Sequence, residues 1–391
     1  MLLTLPLHGC LGMVPAPSDP SDSGEAGQGP VAAGGTDGSS TPTVLLGQSA
    51  PLSGPSARLG EDYRAGAMAW FEEVNRRGGI HGRPIRLLSL DDGYEPERTV
   101  RNTRRLIEGD RAFALFGYVG TPTVKAALPL MEQEGIPLVA PLTGASLLRT
   151  PLRPMVFNLR ASYGSEIDQM VDHLVRAGRH RIAVVHQSDA FGDDGLAAAR
   201  RALARHGLKP VATASVRRNS TAVTAAAMAV KGAEANGVVV VTSYPTSAAF
   251  SRELASMRSR AQLMNVSFVG TRALQEALPQ GRSHGIGVAQ VVPFPWDRHL
   301  PVVVQYQRLM GRLQSRPRFS HTSLEGFLAA RLMTEGLRRA GPRPSRQALI
   351  KGLQSIRDLD LGGFRIQLSP ADHQASDLVE LTFLGSQPWE P

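Results

Sequence analysis

The 391 residues contain one cysteine, four lysines (Lys125, Lys209, Lys231 and Lys351) and only 5% aromatics. A lone Cys10 excludes a disulfide framework and any cysteine-based metal cluster. No apolar run approaches the roughly 20 residues that a membrane-spanning helix needs. The formal charge of +9 rests almost wholly on arginine, scattered in pairs such as Arg76-Arg77, Arg104-Arg105 and Arg217-Arg218. A nucleic-acid surface concentrates its basic residues on one helix or stripe with interleaved aromatics. The dispersal here reads as solvated surface, so no nucleic-acid partner is expected. Catalytic signatures are missing too. There is no P-loop and no HExxH, and Gly47-Gln48-Ser49-Ala50-Pro51 lacks the final glycine of a nucleophile elbow. His173, His180 and His186 do not share a helix turn, and the GYVGTP stretch lacks the third glycine and downstream acid of a dinucleotide site. No nucleophile pairs with a base, so no enzyme, cofactor or metal centre is expected.

What is present is a soluble globular composition, 42% apolar and 20% charged, in a chain long enough for two domains. The stretch Ala112–Ser146 organises the rest. Its two apolar runs, Ala112–Phe116 and Ile136–Ala140, each end in a loop of small residues, GYVGTPT or PLTGAS, that leads into a helical pattern. A strand running through a tight loop into a helix leaves free backbone N–H groups at the helix start. With Thr121, Thr143 and Ser146 beside them, such groups can hold a carboxylate or another acceptor. Thr121-Pro122 also reads as an ordinary N-cap with proline behind it, and Thr143 and Ser146 as loop hydroxyls serving local backbone.

Around this stretch the chain alternates strand and helix. Strands are expected at Thr43–Gly47 and Ile85–Leu90, with an amphipathic helix between them carrying Tyr63, Ala67, Trp70, Phe71 and Val74 on one face. A helix is expected from about Glu95 to Glu108, then the two strand–helix turns of 112–146. A connection follows through Val156–Leu159. The alternation then restarts with strands at Arg181–His186, Pro210–Ser215, Val238–Val241 and Val266–Val269 and helices between them. The VVVV run predicts a strand buried on both faces. After Gly287–Val292 a proline-rich break precedes three helices without strands, and GGFRIQLSP and LVELTFL read as closing strands. The fold class is α/β, two doubly wound parallel-sheet lobes.

Two stretches carry resemblances. Leu7-His8-Gly9-Cys10 resembles a bacterial lipoprotein cleavage site, which implies lipidation of Cys10; the lead before it is short and has no basic residues. The Gly-, Pro- and Ser-rich residues after it, to about Thr41, suit a tether. APLSGPSARLGEDYRAGAMAWFEEVNRRGGIHGRPIRL, LDDGYEPERTV, FGDDGLAAARRAL and VSFVGT together resemble branched-chain amino-acid binding proteins, the type I periplasmic solute-binding components of ABC importers. The similarity runs from Thr43 to Leu384.

The resemblance implies two lobes joined by a three-crossover hinge, residues 43–160 with 294–357 and residues 161–293 with 358–386, behind a lead and linker at 1–42. It implies a small-molecule ligand in the cleft, closure on binding, and a membrane permease and ATPase as partners. The family's carboxylate-gripping turns fall on Gly120-Thr121 and on Thr143, Gly144, Ala145 and Ser146, and its aromatic lid on Phe191 and Tyr244. The amino-group end departs from the pattern. Leu59 stands where amino-acid binders carry a tyrosine, Tyr163 where they carry an acid, and Arg272 where they carry a glutamate. A buried ammonium without carboxylates is costly. A carboxylate or amide ligand is therefore expected, with Arg272 pairing any second anionic group. A ligand sensor or regulator on the same fold is the alternative function.

Overall fold

The computed structural model describes residues 43–279 and 285–385; Cys10 and the tether lie outside the described residues. The first half runs β1 (Val44–Ala50), α1 (Ala57–Arg76), β2 (Ile85–Asp91), α2 (Pro96–Arg104), β3 (Ala114–Phe116), α3 (Thr121–Gln133), β4 (Leu138–Val139) and β5 (Val156–Phe157). These strands form one parallel sheet in the order β2-β1-β3-β4-β5. The second half runs α4 (Tyr163–Arg176), β6 (Ile182–Gln187), α5 (Ala190–Arg205), β7 (Thr213–Val216), α6 (Thr224–Gly232), β8 (Gly237–Val241), α7 (Tyr244–Ser256), β9 (Gln262–Asn265), α8 (Thr271–Ala277) and β10 (Gly287–Gln290). There follow α9 (Pro301–Leu313), α10 (His321–Ala340), α11 (Arg346–Gln354), the small hairpin β11 (Leu359–Asp360) and β12 (Arg365–Ile366), and β13 (Glu380–Phe383). The second sheet has the order β13-β10-β9-β8-β6-β7, parallel except for β13, which closes its edge antiparallel to β10. The chain is thus α/β, with two doubly wound sheets linked by three passages: β5 to α4, β10 to α9, and α11 onward to β13.

Local chemistry explains most elements. All five residues of β8, Gly237 and four valines, are buried, as a central strand covered by helices on both faces requires. Proline opens α2, α7 and α9 within their first two positions, where its missing N–H leaves no bond unmade. The helices α9 and α10 pack on α1, with α11 behind α10. The α1–α10 crossing is very close: a Cβ at Gly66 would lie 1.7 Å from the Ser323 carbonyl oxygen, and one at Gly326 would lie 1.9 Å from that of Tyr63.

Several boundaries differ from the sequence expectation. The connection at Val156–Leu159 contains β5, whose two paired residues are too few to show a period. The helix expected over 95–108 is α-helical to Arg104 and ends in a wider π turn, Arg105–Gly109. The strand expected at Val266–Val269 lies earlier, at β9, and Ser267–Val269 is a 3-10 turn. Polar Gln262 and Asn265 hid that strand. Asn265 is fully buried in it because the Ser247 hydroxyl donates to its Oδ1 at 2.6 Å. The strand expected at Pro210–Ser215 is β7, shifted toward the carboxyl side.

Candidate ligand-binding site

Each sheet has one point where strand order reverses, between β1 and β3 in the first and between β6 and β8 in the second. Connections leave such a point in opposite directions, so a crevice opens beyond the carboxyl ends of the two strands. The two crevices face one another. Gln187, at the end of β6, donates from Nε2 to the Tyr94 hydroxyl at 3.1 Å. Asn219 donates to the Gly93 carbonyl at 3.1 Å and to Glu95 at 2.8 Å, and Arg218 pairs with Glu95 at 2.7 Å. The halves are therefore closed against each other near the switch points.

On the first half, Gly120 precedes α3 with φ of 97°, a conformation that favours glycine, and a Cβ there would lie 2.2 Å from the Tyr94 ring. No side chain caps α3. The Thr121 and Thr143 hydroxyls, both buried, meet at 2.7 Å, and Thr143 Oγ1 also accepts the Ala145 N–H at 3.3 Å. The Gly144 carbonyl accepts the Tyr163 N–H at 2.8 Å; a side chain on Gly144 would collide with that tyrosine. These turns, from two distant loops, thus sit together with Tyr163 laid against them. Burial lifts the Tyr163 hydroxyl to about 12, and it leans toward Thr143 without completing a hydrogen bond.

From Tyr163 a row of rings crosses the interface. Its centroid lies 5.1 Å from Phe191, Phe191 lies 4.9 Å from Phe268, and Phe268 lies 5.6 Å from Tyr94. All four are fully or almost fully buried. Tyr244 opens α7 half-buried, its hydroxyl turned to the backbone of Arg58, and burial raises its pKa.

Two expected side chains have other partners. Ser146 is at the exposed rim, where its N–H donates to Asp194 Oδ2 at 3.1 Å and its hydroxyl to Asp194 Oδ1. It fastens the rim of the two halves. Arg272 donates from Nε to Glu276 at 3.0 Å and from Nη1 to the Phe319 carbonyl at 2.9 Å. α8 thus directs the Arg272 guanidinium to Glu276 and to the segment before α10.

The nearby carboxylates are also occupied. Asp91 accepts from Leu52 N, Ser53 and Arg98, and those hydrogen bonds and the cation hold it at about 2 against the cost of burial. Asp92 accepts from Ser49, Tyr94 N and Thr99, yet burial outweighs these bonds and pushes it up to about 6. Asp189 caps α5 through Phe191 N and accepts from Gln187 Nε2 and Arg218. By contrast, Gln187 Oε1, Thr242 Oγ1 and Ser243 Oγ are buried without partners, each a cost of about 1–3 kcal/mol until something meets it. Among the described residues, no group of three or more His, Cys, Asp and Glu is placed to hold a metal ion.

With this geometry in place, comparison with known proteins is decisive. The family model described as periplasmic binding protein matches residues 43–382. The chain belongs to the periplasmic binding protein family. Within it, the relatives are of the type I, leucine/isoleucine/valine-binding branch. A solved structure of a possible leucine/isoleucine/valine-binding protein from Rhodopirellula baltica SH 1 is 33% identical, with a TM-score of 0.84 over 88% of this chain and 95% of that one. A substrate-binding periplasmic protein from Ralstonia solanacearum is 34% identical, with a TM-score of 0.83 over 88% and 98%. An amino acid binding protein of Pseudomonas aeruginosa is 31% identical over 172 residues, 43% of this chain and 45% of that protein. The chain spans less than half the length of the curated relatives first matched. These relatives are binding proteins by their descriptions.

Tyr94, Gln187, Phe268, Thr242 and Ser243 escaped the sequence reading. Gln187 and Thr242-Ser243 lie at the ends of strands that were readable as strands, so the rule that ligands gather at strand carboxyl ends pointed to them. Tyr94 carried no such signal; its φ of 65° and its place under Arg218, 6.0 Å away, are tertiary facts.

Where the chain enters the second half, Glu166 on α4 is fully buried and accepts from Ser267 N at 2.6 Å and Ser267 Oγ at 2.9 Å. Burial raises its pKa from 4.5 to about 7, against the lowering pull of Arg160 and those two hydrogen bonds. A raised acid favours the folded state most when protonated. That contribution is complete below about 4.5 and is lost as pH rises through about 7. Stability in urea titrations is expected to fall between pH 5 and pH 8, and Glu166→Gln to flatten the fall. An unchanged slope in the variant would assign the pH dependence to other groups, Asp92 first.

Proposed function

We propose that this protein is the extracytoplasmic solute-binding component of an ABC importer, taking a small carboxylate or amide in preference to an ordinary amino acid. The ligand carboxylate docks on the first half at Thr121 and the 143–145 turn. The second half then closes over it with Tyr163, Phe191 and Tyr244, and the closed form engages a membrane permease and its ATPase. Periplasmic placement follows from the family, with Cys10 as the proposed lipid anchor. The observation that carries the ligand class is the state of the carboxylates: Asp91, Asp92, Asp189 and Glu95 all have protein partners, and by the family resemblance Tyr163 takes the place of an ammonium-binding acid. An α-ammonium would meet a ring there, whereas a carboxylate would meet two hydroxyls and an uncapped helix start.

A thermal-shift screen over amino acids, carboxylates and amides tests this, since a ligand specific to the folded state raises the melting temperature by mass action. Stabilisation by carboxylates or amides is expected; strong stabilisation by leucine or valine would overturn the ligand class. Thr121→Val is expected to weaken binding by about 1–3 kcal/mol, the cost of leaving a ligand oxygen without its donor. Unchanged affinity in isothermal titration would remove Thr121 from the site.

A further inference from the structure

The carboxyl ends of β6 and β8 carry a second set of buried polar groups. Gln187 ends β6, and Thr242 and Ser243 directly follow β8. The strands run parallel with His186 opposite Val241, so extending the register by one residue sets Gln187 beside Thr242 at the switch point of the second sheet. Gln187 and Thr242 are 1% exposed and Ser243 is 0%. None of Gln187 Oε1, Thr242 Oγ1 and Ser243 Oγ has a hydrogen-bond partner.

The character of each group is determined by what it already does. Gln187 Nε2 donates to Asp189 Oδ2 at 2.7 Å and to the Tyr94 hydroxyl at 3.1 Å, which fixes the orientation of the amide. Oε1 is therefore a pure acceptor in need of a donor. Ser243 is the N-cap residue of the 13-residue α7, but its hydroxyl makes no capping bond. Ser162, Asp189, Ser320 and Ser345, at the same position on other helices, each accept an amide N–H. The Ser243 and Thr242 hydroxyls are free to donate, at a helix start that favours an acceptor. No net charge suits the place. An ammonium would find Asp189 already holding Phe191 N, Gln187 Nε2 and Arg218, and a second carboxylate would lie next to Asp189.

We propose that Gln187, Thr242 and Ser243 form a subsite for an uncharged carboxamide. Its NH2 donates to Gln187 Oε1, and its carbonyl accepts from the Ser243 and Thr242 hydroxyls at the start of α7. This rests on the reading of the first half as the carboxylate grip, and it names the group at the other end of the ligand. The substrate class is a small carboxylate bearing a terminal amide.

Isothermal titration of the purified full chain against malonamate, succinamate, glutaramate and adipamate tests it. Each is paired with the monocarboxylate, dicarboxylate and ω-amino acid of the same length. One amide is expected to bind at least about ten-fold more tightly than its three counterparts, the discrimination that a buried donor–acceptor pair supplies. Ser243→Ala and Thr242→Val, checked for unchanged melting temperature, should each remove most of that preference while leaving monocarboxylate affinity as it was. Carboxylates that bind equally whatever their far end would overturn the subsite and leave the carboxylate grip standing. An amide preference that survives both substitutions would overturn the assignment to these residues. Binding of leucine or valine in place of every amide would overturn the ligand class and the subsite with it, since both still offer the grip a carboxylate.

Discussion

Arg160→Met is expected to lower the unfolding free energy by about 3–5 kcal/mol, the usual cost of orphaning one member of a buried ion pair. Arg160 lies in the passage from β5 to α4 and grips Glu325 of α10 with two parallel bonds, Nε to Oε1 at 2.8 Å and Nη2 to Oε2 at 2.7 Å. Both side chains are almost fully removed from solvent, 2% and 3% exposed. Without the arginine, Glu325 would remain buried near a second carboxylate, Glu166. The neighbouring Arg149 already donates to the Ala145, Arg160 and Ala161 carbonyls and to Gln374. Urea denaturation of Arg160→Met, Glu325→Leu and the double variant checks this. The double variant should be more stable than the arginine variant alone, because it removes the stranded charge. If the two single losses simply add, the pair does not act as a unit.

Gly66→Ala is expected to cost about 3 kcal/mol or more, at or above the top of the range for overpacked cores. The added methyl would meet the Ser323 carbonyl oxygen at 1.7 Å, so α1 and α10 would have to separate along a crossing where Gly326 already lies against Tyr63. Backbone is hit rather than the end of a flexible side chain, so no rotamer change relieves the contact. Gly232 on α6, with nothing within 4 Å of a built Cβ, is the control: Gly232→Ala should be neutral or stabilising by up to about 1 kcal/mol. A melting temperature for Gly66→Ala equal to that of the parent would mean that the helices sit further apart than described. The same packing places Tyr63 so that its hydroxyl donates to the Ala140 carbonyl at 2.5 Å, beneath the 143–145 turn. Loss of the crossing is therefore expected to reach the ligand grip.

The glycines show how far sequence reading goes. Gly120 was readable as part of a turn, since small residues between an apolar run and a helix leave little else to build. Gly66 and Gly326 carried no signal in the sequence, because the reason for each is a helix more than 200 residues away in the chain. Arg272 depends on tertiary contacts in the same way. Its place after the VSFVGT stretch suggested the cleft, but one helical turn toward Glu276 was enough to take the guanidinium elsewhere.

Periodicity and turn chemistry alone determined the alternation of strands and helices, the α/β class and the two loops that pair Thr121 with Thr143, because these depend on residues close in sequence. Tertiary structure decided which side chains were left over. Whether a carboxylate is free to hold an ammonium, or a glutamine oxygen is free to accept an amide, depends on hydrogen bonds between segments tens to hundreds of residues apart. Those bonds occupy Asp91, Asp92 and Asp189 and leave Gln187, Thr242 and Ser243 open.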